Sequence, residues 1–349
     1  MAFILMSAGC ATAPVQEPLP DRTPITAPLV QAEHGGPALN VSVKVFDPGT
    51  SGDLKVSAPL RNAEAAYFPV LLKRTMDESG GWGAVRVLPD EDPSAELQIT
   101  GRIINSDGIE LSLHITARDS EGTVWLDRTY TDYSLEQVHR SQLDYLKDPF
   151  QDLYNLVSND LNEIRARITN TVLERLLDIS MLRYAAALSD EFSRFLEHTE
   201  DGQLRLLSLP ARDNSMFVRV KRIRESEYNF TDTVDSAYER FFNEVGQTYT
   251  YWRSYSHELI LGNEILESDG TRKTRSWAML EEVYDNYRES RLNSDALRQM
   301  TESFDTEVTP VAASIEGMVI HLEGTLQVKY QQWRDILREV YKAERAVPF

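Results

Sequence analysis

From Leu39 to Val45 apolar residues fall at every second position (Leu39, Val41, Val43, Val45), the period of a half-buried strand. Asp47-Pro48-Gly49 ends that run. Between Asn62 and about Glu78 the spacing widens. Ala65, Ala66, Phe68, Leu71, Leu72 and Met76 gather largely on one side of a predicted helix, with Pro69 restricting where it begins or bends. Past Gly80-Gly81-Trp82-Gly83 the alternation returns at Val85 and Val87. It then continues through Leu97, Ile99, Gly101 and Ile103, through Ile109, Leu111, Leu113 and Ile115, and from Val124 and Leu126 to Tyr130. Ser106-Asp107-Gly108 and Asp119-Ser120-Glu121-Gly122 lie between these runs and carry hairpin turn chemistry. A strand, a helix, a strand and an antiparallel meander predict one helix packed on one sheet face.

Between Asp132 and Pro149 the period becomes helical. Leu153, Val157, Leu161, Ile164, Ile168, Val172, Leu176 and Ile179 step by three or four, which predicts one helix about 40 Å long. Asp148-Pro149 is its start signal. A second stripe runs through Val234, Tyr238, Phe241, Val245, Tyr249, Trp252, Tyr255 and Leu259, interrupted only by Gly246. A third runs from Trp277, Leu280, Tyr284 and Tyr287 to Leu297, Met300, Phe304 and Val308, and a last holds Leu326, Tyr330, Trp333, Leu337, Val340 and Tyr341. Short helices are expected around Tyr184–Leu196 and Met216–Glu227. Residues 203–207 and 318–322 break the period and read as short strands, which would pair with each other or extend the first sheet. The expected fold class is α+β. A small antiparallel-sheet α/β module over residues 38–133 is followed by a long-helix bundle over 134–349 with short strand insertions.

The N-terminus has a different character. Cys10 is the only cysteine, and it follows the apolar run Ala2-Phe3-Ile4-Leu5-Met6 and the small residues Ser7-Ala8-Gly9. Met6-Ser7-Ala8-Gly9-Cys10 resembles the lipobox of bacterial lipoproteins, with Ser7 where that family most often has leucine. The resemblance implies cleavage before Cys10, acylation of that residue and, with Ala11 next, sorting to an outer membrane. Residues 1–9 would then be a signal-peptide fragment, a basic start lying upstream of Met1. Residues 11–37 hold six prolines and few large apolar side chains. The segment 10–37 is therefore expected to be a solvated, extended tether, unable to offset its ordering entropy by burial.

The module at 38–133 resembles small envelope modules such as the N-terminal domain of TolB, CsgG and the penicillin-binding-protein activator LpoB. Ala95-Glu96-Leu97-Gln98-Ile99-Thr100-Gly101-Arg102-Ile103 and Asp119-Ser120-Glu121-Gly122-Thr123-Val124-Trp125-Leu126 carry the likeness. It implies docking to envelope components or self-association, and no catalytic motif.

The 349 residues are 42% apolar and carry a net charge of −19. That is enough to bury a sizeable core in about two domains, and a body this acidic repels nucleic acid and anionic lipid. A lone cysteine forms no internal disulfide. No apolar run approaches the roughly 18 residues of a membrane-crossing helix, so membrane attachment would rest on the acyl chains.

Motifs for bond chemistry are sparse. The histidines (His34, His114, His139, His198, His257, His321) stand singly, and His257-Glu258-Leu259-Ile260-Leu261 begins like a zinc-protease helix but has Leu261 where the second ligand belongs. The chain has no Gly-x-Ser-x-Gly, no Ser-x-x-Lys and no phosphate-binding Gly-x-x-x-x-Gly-Lys. No metal or cofactor is expected. The 55 acidic residues offer many carboxylate pairs but single out none for glycoside cleavage. Two features remain as partner contacts. Tyr251 falls off the face shared by Tyr249, Trp252 and Tyr255, and Arg219, Lys221, Arg222 and Arg224 form the most basic patch. The expected function is that of a lipid-anchored, non-catalytic binding or scaffolding protein of the cell envelope, with an envelope protein as partner. The alternatives are an enzyme acting on peptidoglycan or polysaccharide, and a periplasmic chaperone or carrier.

Overall fold

In the computed structural model, residues 22–32, 35–49, 58–92, 94–134, 148–211, 213–268, 277–306, 311–315 and 318–345 are described. The alternating runs become strands β1 (Val41–Lys44), β2 (Val85–Leu88), β3 (Leu97–Ser106), β4 (Glu110–Asp119) and β5 (Val124–Tyr133) of one sheet, ordered β2-β1-β3-β4-β5. The fold class is α+β. The sheet itself is mixed: β1 pairs in parallel with both β2 and β3, and β3-β4-β5 is an antiparallel meander. The parallel β1–β2 pair is bridged by helix α1 (Ala58–Ser79), which continues through Pro69. On the inner sheet face lie Leu97, Ile99, Ile103, Leu113, Ile115 and Ala117. The outer face is polar, and His114 there lies 2.9 Å from the Asp127 carboxylate.

The stripe from Leu153 to Ile179 is two helices, α2 (Gln151–Ala166) and α3 (Asn170–Leu188), rather than one. Thr169 is extended (φ −74°, ψ 152°) and its carbonyl accepts from Val172 N and Leu173 N. It is an N-cap residue type placed where a new helix starts. The segment expected as a short helix at Met216–Glu227 is instead the first part of α4 (Ser215–Ser268), a 54-residue helix about 80 Å long. α5 (Trp277–Thr306) returns antiparallel along it, with Phe304 against Phe241 and Tyr238 at one level and Ser290 against Ser256 at another. α6 (Leu326–Arg345) closes the described chain, burying Tyr330, Trp333, Leu337 and Tyr341.

The two irregular segments pair locally. β6 (Leu196–His198) pairs with β7 (Leu204–Leu206), and β8 (Val311–Ile315) with β9 (Met318–Leu322). They neither pair with each other nor extend the first sheet, because each finds a partner across a short turn. The short helix expected at Tyr184–Leu196 is instead the end of α3, up to Leu188, followed by a 3-10 turn over Asp190–Phe195.

One cluster of buried side chains runs from β1 and α1 through β4 and α2 to α4 and α6. Residues 38–133 and the helices after them therefore share a core. The β3–β4 turn fits closely against α4: Gly108 has φ +98°, and a Cβ there would lie 3.0 Å from the Arg253 carbonyl oxygen. No helix among the described residues is long and apolar enough to cross a membrane.

Candidate functional site

The proline-rich segment is not solvated throughout. From Ile25 to Pro37 its described residues lie against the body, held mainly by one face of α2. Asn155 Nδ2 donates to the Ala27 carbonyl at 2.9 Å. Asn159 reads the backbone twice: its Oδ1 accepts from Val30 N at 2.9 Å, and its Nδ2 donates to the Pro28 carbonyl at 3.0 Å. Arg165 Nη2 donates to the Pro37 carbonyl at 3.0 Å. Either side of this ladder, Ile25 N donates to Asp132 Oδ1 and Ala32 N to the Ser79 carbonyl. A segment too poor in apolar groups to fold alone is ordered here because side-chain amides satisfy its backbone groups. The sequence carried a signal for this cradle: Asn155, Asn159 and Asn162 share one helical face.

A second set of polar groups joins α4 to the sheet, to α1 and to the start of α2 at four levels. Near its start Arg224 pairs with Glu96 at 3.0 Å, and Ser180 Oγ donates to the same carboxylate oxygen at 2.5 Å. Further along, Asp235 takes Lys73 of α1 as an ion-pair partner and accepts from Val87 N of β2 at 2.7 Å. Glu239 binds Lys73 at 3.2 Å and Arg74 at 2.6 Å. Beyond these, Tyr249 donates to Glu64 Oε1 at 2.8 Å, Ser106 donates to the same oxygen at 2.6 Å, and Arg61 meets Oε2 at 3.0 Å. Arg253 closes the row on Asp148 at 2.8 Å.

Burial shifts several of these acids. Glu64 is raised by desolvation, against Arg61 and its hydrogen bonds. Glu227 is pushed up to about 7 by burial and by Asp92, against Arg334. Asp77, beside the Lys73 cluster, is pushed up to about 6 by burial, against Lys73 and with Asp235 and Glu239 adding to the rise. A raised acid beside a basic partner suits proton transfer. Glu64 lies between packed elements with its oxygens turned onto Arg61, Ser106 and Tyr249, which suits joining; among the described residues both Glu227 oxygens are buried without a hydrogen bond, and Asp77 is at the surface.

The residues singled out from the sequence are dispersed. Cys10 lies outside the described residues. Of the basic patch, Lys221 and Arg222 are exposed and Arg219 is half-buried, with Lys221 Nζ 5.0 Å above the Phe217 ring. Arg224 departs from the patch, because its place on the helix turns it inward onto Glu96 and the Ser94 carbonyl. Tyr251 is half-buried and accepts from Gln247 at 3.5 Å, while Tyr249 and Trp252 stack in the core with centroids 5.7 Å apart. His257 Nε2 lies 3.0 Å from the Ser134 carbonyl oxygen. Among the described residues no three His, Cys, Asp or Glu side chains group to hold a metal ion. Compared with known proteins, the chain matches no family model and no curated sequence.

Proposed function

We propose that this chain is a lipid-anchored envelope protein, held at the periplasmic face of an outer membrane by acyl chains on Cys10, and that it binds and scaffolds other envelope components without catalysing a reaction. The observation that carries the reading is the docking of residues 25–32 and 35–37 on α2 and α1. With that segment held, only residues 11–24 separate the lipidation position from the body, a reach of at most about 50 Å. The anchor would then set where the body lies and which way α2 faces.

The non-catalytic part rests on what the buried charges do. Glu64, Glu96, Asp148 and Asp235 are each occupied by partners on a neighbouring element. α5 meanwhile presents exposed Tyr284, Tyr287 and Leu292 to solvent.

The test is replacement of Cys10 by Ala in a gene encoding a complete signal, followed by membrane fractionation. The wild type is expected with membranes and the Cys10→Ala protein in the soluble periplasm; a variant that stays with membranes overturns the acyl anchor. In-cell crosslinking and mass spectrometry then test the scaffold. One dominant protein partner supports it, and glycan adducts without a protein overturn it.

A further inference from the structure

Arg165 is only 3% exposed, and among the described residues no carboxylate pairs with it. Its Nη2 donates to the Pro37 carbonyl, while Nε and Nη1 are buried without an acceptor. Beside it Trp82 Nε1 is another buried donor with no acceptor, its ring 5.6 Å from the Arg165 guanidinium carbon and 6.5 Å from the Trp125 ring. The other buried arginines also leave a nitrogen unpaired in two cases, Arg224 Nε and Arg253 Nη2, but each has a carboxylate: Arg61 has Glu64, Arg224 has Glu96 and Arg253 has Asp148, each within 3.0 Å. A buried cation with no carboxylate beside it among the described residues is unfavourable, and burial pushes Arg165 below its ordinary pKa. A group kept in that condition is waiting for an anion.

The surroundings state what carries the anion. Arg165 ends the face of α2 on which Asn155 and Asn159 bind an extended chain through its main-chain amides, and that chain runs in the N-to-C direction toward Arg165. We propose that Arg165 and Trp82 form the end of a groove that takes an extended polypeptide by its C-terminal carboxylate, the protein's own residues 25–32 and 35–37 being the occupant in this structure. Nε and Nη1 each share an edge of the guanidinium with Nη2. A carboxylate on the edge where Nη2 donates to Pro37 displaces that carbonyl, and a chain whose amides take Asn155 and Asn159 displaces the segment from both. Ligand and segment 25–37 compete, so binding loosens the segment that leads to the N-terminus. An acidic sugar would meet Arg165 but offers no run of amides for Asn155 and Asn159.

The inference rests on the reading of the protein as a binder of envelope proteins, but its test is independent of the anchor. The probe is a synthetic peptide with the sequence of residues 24–37, ending at Pro37 in a free carboxylate or in an amide. It is titrated calorimetrically into the full chain carrying Val30→Pro, which removes the backbone donor to Asn159 and leaves the groove intact. The acid peptide is expected to bind at least tenfold more tightly than the amide. That advantage should vanish in Arg165→Gln and shrink in Trp82→Phe, and the unaltered chain should bind more weakly because its own segment competes. Equal binding of acid and amide, or no binding at millimolar peptide, overturns the proposal. Saturation by glucuronate as tight as by the acid peptide also overturns it, in favour of a sugar-acid site. Should Arg165→Gln fail to fold, the acid–amide comparison and Trp82→Phe still decide. A negative result leaves the Cys10→Ala fractionation untouched, so the two readings fail separately.

Discussion

Arg224 and Glu96 meet at 3.0 Å with both side chains inside the protein, and the same guanidinium nitrogen donates to the Ser94 carbonyl at 2.6 Å. One residue later, at the exposed position of Glu225, an arginine would have stayed with its basic neighbours on the surface. Its position on α4 instead ties the long helix to the start of β3.

Removing one partner of such a pair strands the other. Arg224→Ala is expected to lower unfolding stability by about 3–5 kcal/mol, since Glu96 would be left charged in the interior. Lys221→Ala, three residues away and exposed, is expected to change it by no more than about 0.5 kcal/mol. Urea unfolding of the two variants separates an interior tie from a surface patch, and equal midpoints would refute the distinction.

Asn159 gives the N-terminal segment two hydrogen bonds. Asn159→Ala should weaken that attachment by about 1–2 kcal/mol while leaving the main unfolding transition near its wild-type position. The measurement is native-state amide exchange. The Val30 amide should exchange faster, and the amides in the middle of β4, paired with β3 and β5, should keep their protection.

The helix break at Arg167–Thr169 separates two positions that look alike in the apolar stripe. Leu161 is fully buried against the shared core, whereas Ile168 is half-buried beside the small cluster of Leu39, Leu173 and Leu176. Leu161→Ala should cost about 2–5 kcal/mol and Ile168→Ala about 1 kcal/mol. Thermal melts of the pair check it, and a larger loss at Ile168 would argue for one continuous helix.

The same break shows what periodicity conveys and what it leaves out. Strands with strict alternation, such as 97–103 and 109–115, were legible because one sheet face is buried and the other is wet. Helix α6 was legible for the matching reason at period 3.6, whereas the stripe read for α5 is not its buried face: Tyr284, Tyr287 and Met300 are exposed, and Asn286, Ser290, Leu297 and Thr301 are buried. The first part of α4 was not, because Arg224 and Glu227 occupy inward positions between Val220 and Phe230, and buried charges read as an interrupted stripe. The parallel pairing of β1 with β3 was also hidden, since alternation carries no strand direction. The α2 cradle left a trace in Asn155, Asn159 and Asn162, but only the structure shows that the proline-rich segment uses it. Arg165 carried no signal, because nothing in sequence distinguishes a buried arginine from an exposed one.

Glu227 sets a pH dependence whose sign follows from its shift. Its two oxygens are buried between α4, α3 and α6. Asp92 faces it from the loop after β2, Tyr184 from α3, Arg224 from its own helix and Arg334 from α6. Its pKa is about 7 when folded, against an ordinary 4.5. Below about pH 4.5 the carboxyl is protonated in both states and adds no pH dependence. Between about 4.5 and 7 the folded state holds a proton that the unfolded state has released, so stability falls as pH rises. Above about 7 the loss levels off, on the order of 3 kcal/mol at most. Asp77, raised to about 6, acts in the same direction over a narrower window, so the wild-type profile alone does not isolate Glu227. Glu227→Gln does, because a neutral amide of the same shape carries no proton to release. Guanidinium midpoints from pH 5 to 8 should fall less steeply for Glu227→Gln than for wild type, with the variant the more stable of the two at pH 8. Parallel profiles would mean that Arg334 holds Glu227 charged throughout, and that α6 is fastened by a full ion pair.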